Sequence, residues 1–235
     1  MTTRNRIPVI AVLILAIVGV IAPSAEAAAT RYITVSAQGT VQVTPDAVRI
    51  NATATNVAAT SKDALATNAK VANAVRAALK VAKIDAKDIA TQSVTVYPEY
   101  KYATDGTSTQ IGYRASQSFT IVVRAPDTAG AVVDALVLAG GDNLQINGAN
   151  PFVLDSTKSL ESARAAAVKS AKSKATSYAQ LMGVKLGKVN YLVENSSPSN
   201  YAPVMAVAKT ESDATVIDLG QQDVTISVTV QWALL

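Results

Sequence analysis

Residues 155–194 read DSTKSLESARAAAVKSAKSKATSYAQLMGVKLGKVNYLVE, and they decide the class of the fold. Apolar or small residues recur at Leu160, Ala163, Ala167, Ala171, Ala175, Tyr178, Leu181 and Met182. The steps are mostly three and four, which makes one stripe on a helical period of about 3.6 residues. Lys158, Glu161, Lys169, Lys172, Thr176 and Gln180 fall off the stripe and face water. Asp155, Ser156 and Thr157 offer oxygens to the free amides of the first turn. Gly183 suits a left-handed stop, covered by Val184, and Lys185 suits the negative helix end. Val189, Tyr191 and Val193 then alternate with Asn190, Leu192 and Glu194 as a strand. A buried stripe made mostly of alanine lets a helix lie close against a sheet.

Working outward to the start of the chain, Arg4 and Arg6 precede an uncharged apolar run from Val9 to Ile21. Small residues follow, and the whole reads as a signal peptide over 1–27, with cleavage as late as residue 29. The run is shorter than the roughly 20 residues that span a bilayer. No later stretch is long and apolar enough, so the mature chain is expected to carry no transmembrane segment and to be exported, to the periplasm first or to the cell surface or medium.

The chain has 21 basic and 17 acidic residues; losing Arg4, Arg6 and Glu26 leaves 19 and 16, a net charge of +3. The charge is scattered, which argues against nucleic acid as a partner. Cysteine and histidine are both absent. That excludes disulfides, lipid attachment at Cys, Ser-His-Asp and Cys-His catalysis, and the usual zinc, copper and haem ligands. No cofactor is implied.

In order, Ile33–Val43 and Val48–Ala54 alternate on either side of Pro45-Asp46, which predicts an antiparallel pair around a turn or bulge. A helix opens at Ser61 and Asp63, with Leu65, Ala69, Ala72, Val75, Ala78 and Leu79 inward. A strand through Val94 and Val96 and the long alternation Tyr113–Arg124 predict a hairpin, with a polar tip projecting around 98–110. Pro126 and Asp127 start a second helix, with Val132, Val133, Leu136 and Val137 inward, ended by Gly140-Gly141. A strand over Leu144–Leu154 precedes the Ala-rich helix. Residues 195–213, rich in Ser, Pro and Asn at their start, read as a mobile loop. The last strand places Val224, Ile226, Val228, Val230 and Trp232 on one face. Polar opposite faces favour an α+β fold: a mainly antiparallel sheet with helices on one face, built on loosely repeated hairpin-helix units.

Several segments together carry a family resemblance. They are Val43-Thr44-Pro45-Asp46-Ala47, Ile84-Asp85-Ala86-Lys87-Asp88-Ile89-Ala90-Thr91, Tyr97-Pro98-Glu99-Tyr100, Gly112-Tyr113-Arg114-Ala115-Ser116, Ala163-Arg164-Ala165-Ala166-Ala167 and Met182-Gly183-Val184-Lys185-Leu186-Gly187. In order and spacing over most of residues 31–235 the chain resembles the SIMPL-domain family of bacterial exported proteins, which includes oxidative-stress defence and periplasmic immunogenic proteins. The resemblance implies an α+β domain over 28–235, export, no established enzyme activity and no catalytic residues to carry over. It also implies a link to oxidative-stress tolerance and, for some members, ring-like oligomers, so a homo-oligomer is expected. Where relatives tend to have Pro-Gly before the last strand, this chain has Leu219-Gly220-Gln221.

Catalytic motifs are missing: there is no nucleophile elbow, dinucleotide fingerprint, P-loop, EF-hand or Ser-x-x-Lys dyad. Asp85 and Asp88 form a spaced carboxylate pair, better read as caps before a strand than as an acid-base site. Lys169, Lys172 and Lys174 read as a solvated helix face, and Met182 and Met205 are too few for a sacrificial oxidant trap. Tyr97, Tyr100, Lys101, Tyr102, Tyr113 and Arg114 gather on the hairpin. Exposed Tyr and Arg favour interfaces, whereas the plain alternative is cross-strand aromatic pairing. Two functions stand side by side: a non-enzymatic self-assembling envelope protein, or a monomeric binding module for a small ligand or envelope component.

Overall fold

The computed structural model describes residues 31–195, 203–204 and 214–235. The expected signal peptide over 1–27 lies outside them, as does nearly all of the loop expected over 195–213. In chain order the elements are β1 (Tyr32–Val43), β2 (Ala47–Ala58), α1 (Ser61–Val81), β3 (Ile89–Tyr102), β4 (Ser108–Val123), α2 (Ala129–Gly140), β5 (Leu144–Phe152), α3 (Thr157–Leu181), β6 (Leu186–Asn195), β7 (Pro203–Val204) and β8 (Gln221–Leu234). Among the described residues every strand pairing is antiparallel, and the fold is α+β.

The strands form two sheets. One runs β1-β8-β6, with β7 also paired to β8; the other runs β3-β4-β2-β5. The expected β1–β2 hairpin is therefore corrected: β1 pairs with β8 from Tyr32↔Ala233 to Val43↔Gln222, and β2 lies between β4 and β5. At the crossing the Asp46 amide donates to the Phe152 carbonyl at 3.3 Å, and the Asp46 carboxylate accepts from the Leu154 amide at 2.7 Å. Pro45 has no amide to give to a turn. The link is thus fastened to the end of β5 rather than folded back on β1. Of the two hairpin-helix units expected, β3–β4–α2 is one and β1–β2–α1 is not.

α3 packs across β1 and β8. Its buried positions are Ala163, Ala167, Ala171, Ala175 and Ala179, a strict step of four. Facing them are Val35, Ala37, Val224, Ile226, Val228, Val230 and Trp232. Gly39 makes this close approach possible, since a Cβ there would fall inside the backbone of α3 at Ala163 and Ala167. Tyr178, Leu181 and Met182, expected on the stripe, are exposed; from Ala175 the ridge continues to Ala179 instead. The helix ends as expected at Gly183 (φ +69°). Its amide donates to Gln180 O at 3.1 Å and the Val184 amide to Ala179 O at 2.9 Å, which satisfies two terminal carbonyls. At the start, the Asp155 carboxylate accepts from the Thr157 amide at 2.9 Å, while Ser156 at the cap makes no side-chain hydrogen bond.

The second sheet carries α1 and α2 over a core of larger side chains: Val48, Ile50, Phe119, Ile121, Leu79, Val75 and Leu136. α1 is capped by Thr60, whose hydroxyl accepts from the Asp63 amide at 3.1 Å. It buries Ala64, Asn68, Ala72, Val75 and Leu79. Leu65 and Ala69, expected inward, face out, and so does Val137 of α2. The exchange has a cause in Asn68: its amide Nδ2 donates to Ala54 O at 2.8 Å and Ala115 O at 3.2 Å, tying the helix to β2 and β4.

Residues 214–220 join the halves. Thr215 is held on α2 by Asp134, hydroxyl to Oδ1 at 2.6 Å and amide to Oδ2 at 3.2 Å. Ile217 and Leu219 pack on the second core, and Gly220 (φ +57°) turns the chain into β8. Gln222 of β8 then donates to Pro151 O of β5 at 2.7 Å.

Candidate functional site

The hairpin β3–β4 is where the sequence placed its six candidates. The register runs from Ile89↔Ile121 to Tyr102↔Ser108. The tip closes with the Ala103 amide on Thr107 O at 2.9 Å and the Gly106 amide (φ +85°) on Ala103 O at 3.1 Å. Asp105 accepts from both the amide and the hydroxyl of Thr107, at 2.9 and 2.7 Å. These bonds, the hydroxyl first, hold its carboxyl below the usual carboxylate value. Between Glu99↔Gly112 and Tyr100↔Gln110 an extra residue, Ile111, bulges from β4.

Alternation and register divide the six residues. Tyr97 opposes Arg114 and shares its face with Glu99 and Lys101. Tyr113 opposes Pro98 and shares the other face with Tyr100 and Tyr102. That second face continues along β4 into Ala115, Gln117 and Phe119, which lie buried toward α1. The structure therefore holds one charged face and one tyrosine face, not a single cluster. Tyr102 is three-quarters exposed, and Tyr97 and Tyr100 are nearly half exposed. On the charged face the Arg114 guanidinium grips Glu99 with two hydrogen bonds, one of them 2.7 Å. This fork lowers the Glu99 carboxyl and raises Arg114. Glu99 is the partner that sequence reading passed over; its cross-strand position next to Arg114 becomes visible only once the register is known.

The remaining candidates are dispersed. Asp88 is buried and held by Arg124 through two bonds of 2.7 Å, which lower its carboxyl. Asp85 pairs instead with Lys87 at 3.2 Å. The two carboxylates serve separate partners and do not converge. Among the described residues no three acidic groups gather at metal-binding range, and no helix is long and apolar enough to cross a membrane. Lys169, Lys172 and Lys174 line the outer side of α3, with Lys174 reaching Ser36 O at 3.5 Å. Met182 is exposed, and Met205 lies outside the described residues.

One surface was missed. β6 exposes apolar side chains on both faces: past a bulge at Asn190, Val189 and Leu192 share the face of Trp232 and Val230, and Tyr191 and Val193 take the other. α3 sits over β1 and β8 and reaches this outer strand only near its ends, where Leu186 packs on the core and Arg164 holds Glu194 at 2.6 Å. β3 is alike, with Val94 and Val96 exposed.

Comparison with known proteins places these features in a family. The SIMPL family, described as "Protein of unknown function (DUF541)", matches residues 33–232. The chain is 28% identical over 211 residues to the 26 kDa periplasmic immunogenic protein of Brucella melitensis, covering 84% of this chain and 82% of that one. The protein of the same name from Brucella abortus strain S19 is equally similar, with the same coverage. The uncharacterized protein YggE of Edwardsiella ictaluri is 30% identical over 187 residues, covering 75% of this chain and 76% of that one. With the match running from β1 nearly to the end of β8, the chain belongs to the SIMPL family.

Proposed function

We propose that this chain is an exported, non-enzymatic envelope protein, periplasmic like its Brucella relatives by name, that self-assembles through the β3–β4 hairpin and supports envelope integrity or tolerance of oxidative stress. The observation that carries the reading is β3 itself. It is the outer strand of its sheet, and its side chains are exposed or only partly covered along its whole length. A long outer strand offers unpaired backbone groups to another chain, and the tyrosine face beside it offers contact area of the kind interfaces favour. The hairpin tip around 98–110 would reach furthest into such an assembly.

The test is the native mass of residues 28–235 by light scattering over a range of concentrations. A large mass that holds on dilution is expected. The double variant Tyr100→Ser, Tyr102→Ser should lower that mass while leaving the melting transition in place. A clean monomer at all concentrations overturns the proposal, and unchanged assembly in the double variant removes this surface from it.

The second reading is a monomeric binding module for a small ligand or envelope component. What favours it is a basic groove beyond the end of α1.

A further inference from the structure

The two long helices end by the same hydrogen-bond scheme on different residues. At the end of α1 the Lys83 amide donates to Lys80 O at 3.1 Å and the Ile84 amide to Leu79 O at 3.0 Å. Where α3 uses Gly183, α1 uses Lys83 at φ +60°, the one non-glycine residue with positive φ among the described residues. Glycine is the usual residue at this position because a Cβ is strained there. A strained residue in an otherwise relaxed helix points to a use for its side chain.

Lys83 lines a groove of about 590 Å³ with Arg76, Lys80, Ile84, Asp85, Ala86 and Ile89. The size is that of a small-molecule site. Its charge is unbalanced. Among the described residues neither Lys80 nor Lys83 has an ion pair, and Arg76 reaches only the Thr91 hydroxyl at 3.3 Å and the face of Phe119 at 5.2 Å. Asp85 is occupied by Lys87, and the nearby Asp88 by Arg124. The C-terminal end of α1 contributes roughly half a negative charge, which cannot balance three cations. Ile84, Ala86 and Ile89 supply an apolar floor.

We propose that this groove binds a single-chain anionic amphiphile, the carboxylate of a medium- or long-chain fatty acid. The head lies against Arg76, Lys80 and Lys83, and the chain lies over Ile84, Ala86 and Ile89. An inorganic anion would use the cations and leave the floor wet; a neutral chain would do the reverse. A membrane-docking patch is commonly built from about four to eight clustered basic residues, more than line this groove. The proposal rests on the binding-module reading for its ligand class and is independent of assembly.

The experiment is titration calorimetry of residues 28–235 with decanoate below its micelle concentration. 1-Decanol, inorganic phosphate and phosphatidylglycerol vesicles form separate arms, and hydrogen exchange over residues 76–89 locates the site. Saturable decanoate binding that protects this segment is expected. Lys80→Gln and Lys83→Gln should each weaken it about tenfold, the loss of one charge-assisted contact. Lys83→Gly is the decisive variant, because it relieves the backbone strain: a melting temperature at or above the parent with weaker binding separates the contact from the fold. Decanol or phosphate binding as tightly as decanoate overturns the anionic-amphiphile assignment; with decanol the binding-module reading survives. Binding to vesicles alone, or decanoate binding unchanged in both lysine variants, overturns it too. No saturable heat in any arm overturns the proposal and removes this groove from the binding-module reading. Light scattering on the same samples reports assembly separately.

Discussion

α3 rests on its sheet through five alanines with Gly39 beneath, whereas α1 rests on its sheet through Ala64, Asn68, Ala72, Val75 and Leu79 with Phe119 in the core below. The first contact brings two backbones together. The second keeps them apart and fills the gap with side chains and one buried amide. Small-residue contacts leave no space for an added atom, and side-chain-filled contacts leave none for a missing one. The two halves should therefore fail in opposite directions.

The largest break is expected at Gly39→Val. The branched side chain meets the main chain of α3, not a flexible side chain, so the helix must lift from β1. A loss of more than about 5 kcal/mol, enough to unfold a marginal domain, should appear as the absence of a cooperative urea transition. A folded variant would mean that α3 can slide over β1. Phe119→Ala breaks the other half by removal, costing about 3–5 kcal/mol in the same assay. The matched removal in the first half, Ala171→Gly, should cost only about 1–2 kcal/mol, from one methyl and the flexibility of glycine. If it costs as much as Phe119→Ala, the contrast between the halves is wrong.

Smaller effects sharpen the picture. Lys83→Gly should raise stability by about 0.5–1 kcal/mol, since relief of a left-handed lysine (about 1–2) exceeds the entropic cost of glycine (about 0.5–1). A drop in the urea midpoint would show that Lys83 is not strained. Part of the acid response belongs to the β3–β4 sheet. Asp88 and Glu99 have folded pKa values below their ordinary ones, so their contribution is complete above the ordinary carboxylate range and is lost as pH falls through the depressed values. Asp88→Asn should flatten the stability profile below about pH 4, as read from melting temperature against pH.

Legibility in the sequence followed the range of the interaction. The helix stop at Gly183, the inward face of β8 and the hairpin between Val94 and Arg124 were all readable, because each is set by neighbours a few residues apart. The stripe on α1 was right at Ala72, Val75 and Leu79 but one position off in the first turns, because an apolar scale puts Asn68 outside, and only the two carbonyls it bridges explain its burial. The tyrosines and Arg114 were found, but their division into two faces depends on register and on the Ile111 bulge. The exposure of both faces of β6 was unreadable, since it records where α3 was laid down and not what β6 contains.

The sequence by itself determined the α+β class, the element order and which side of most strands is apolar, because the pleat and the helical turn impose their periods locally. The absence of Cys and His likewise restricted the chemistry from the start. Only the tertiary structure decided that the strands divide into two sheets. β1 takes its partner at the far end of the chain, where the Ser36 hydroxyl meets that of Thr229 at 2.9 Å across 193 positions. An alternating strand advertises a face to bury, while its hydrogen-bonding edges are the same whatever its side chains. The choice of neighbour therefore rests with the packing of the whole: a helix close enough to need Gly39, and a crossing at Pro45 that sends β2 to another sheet.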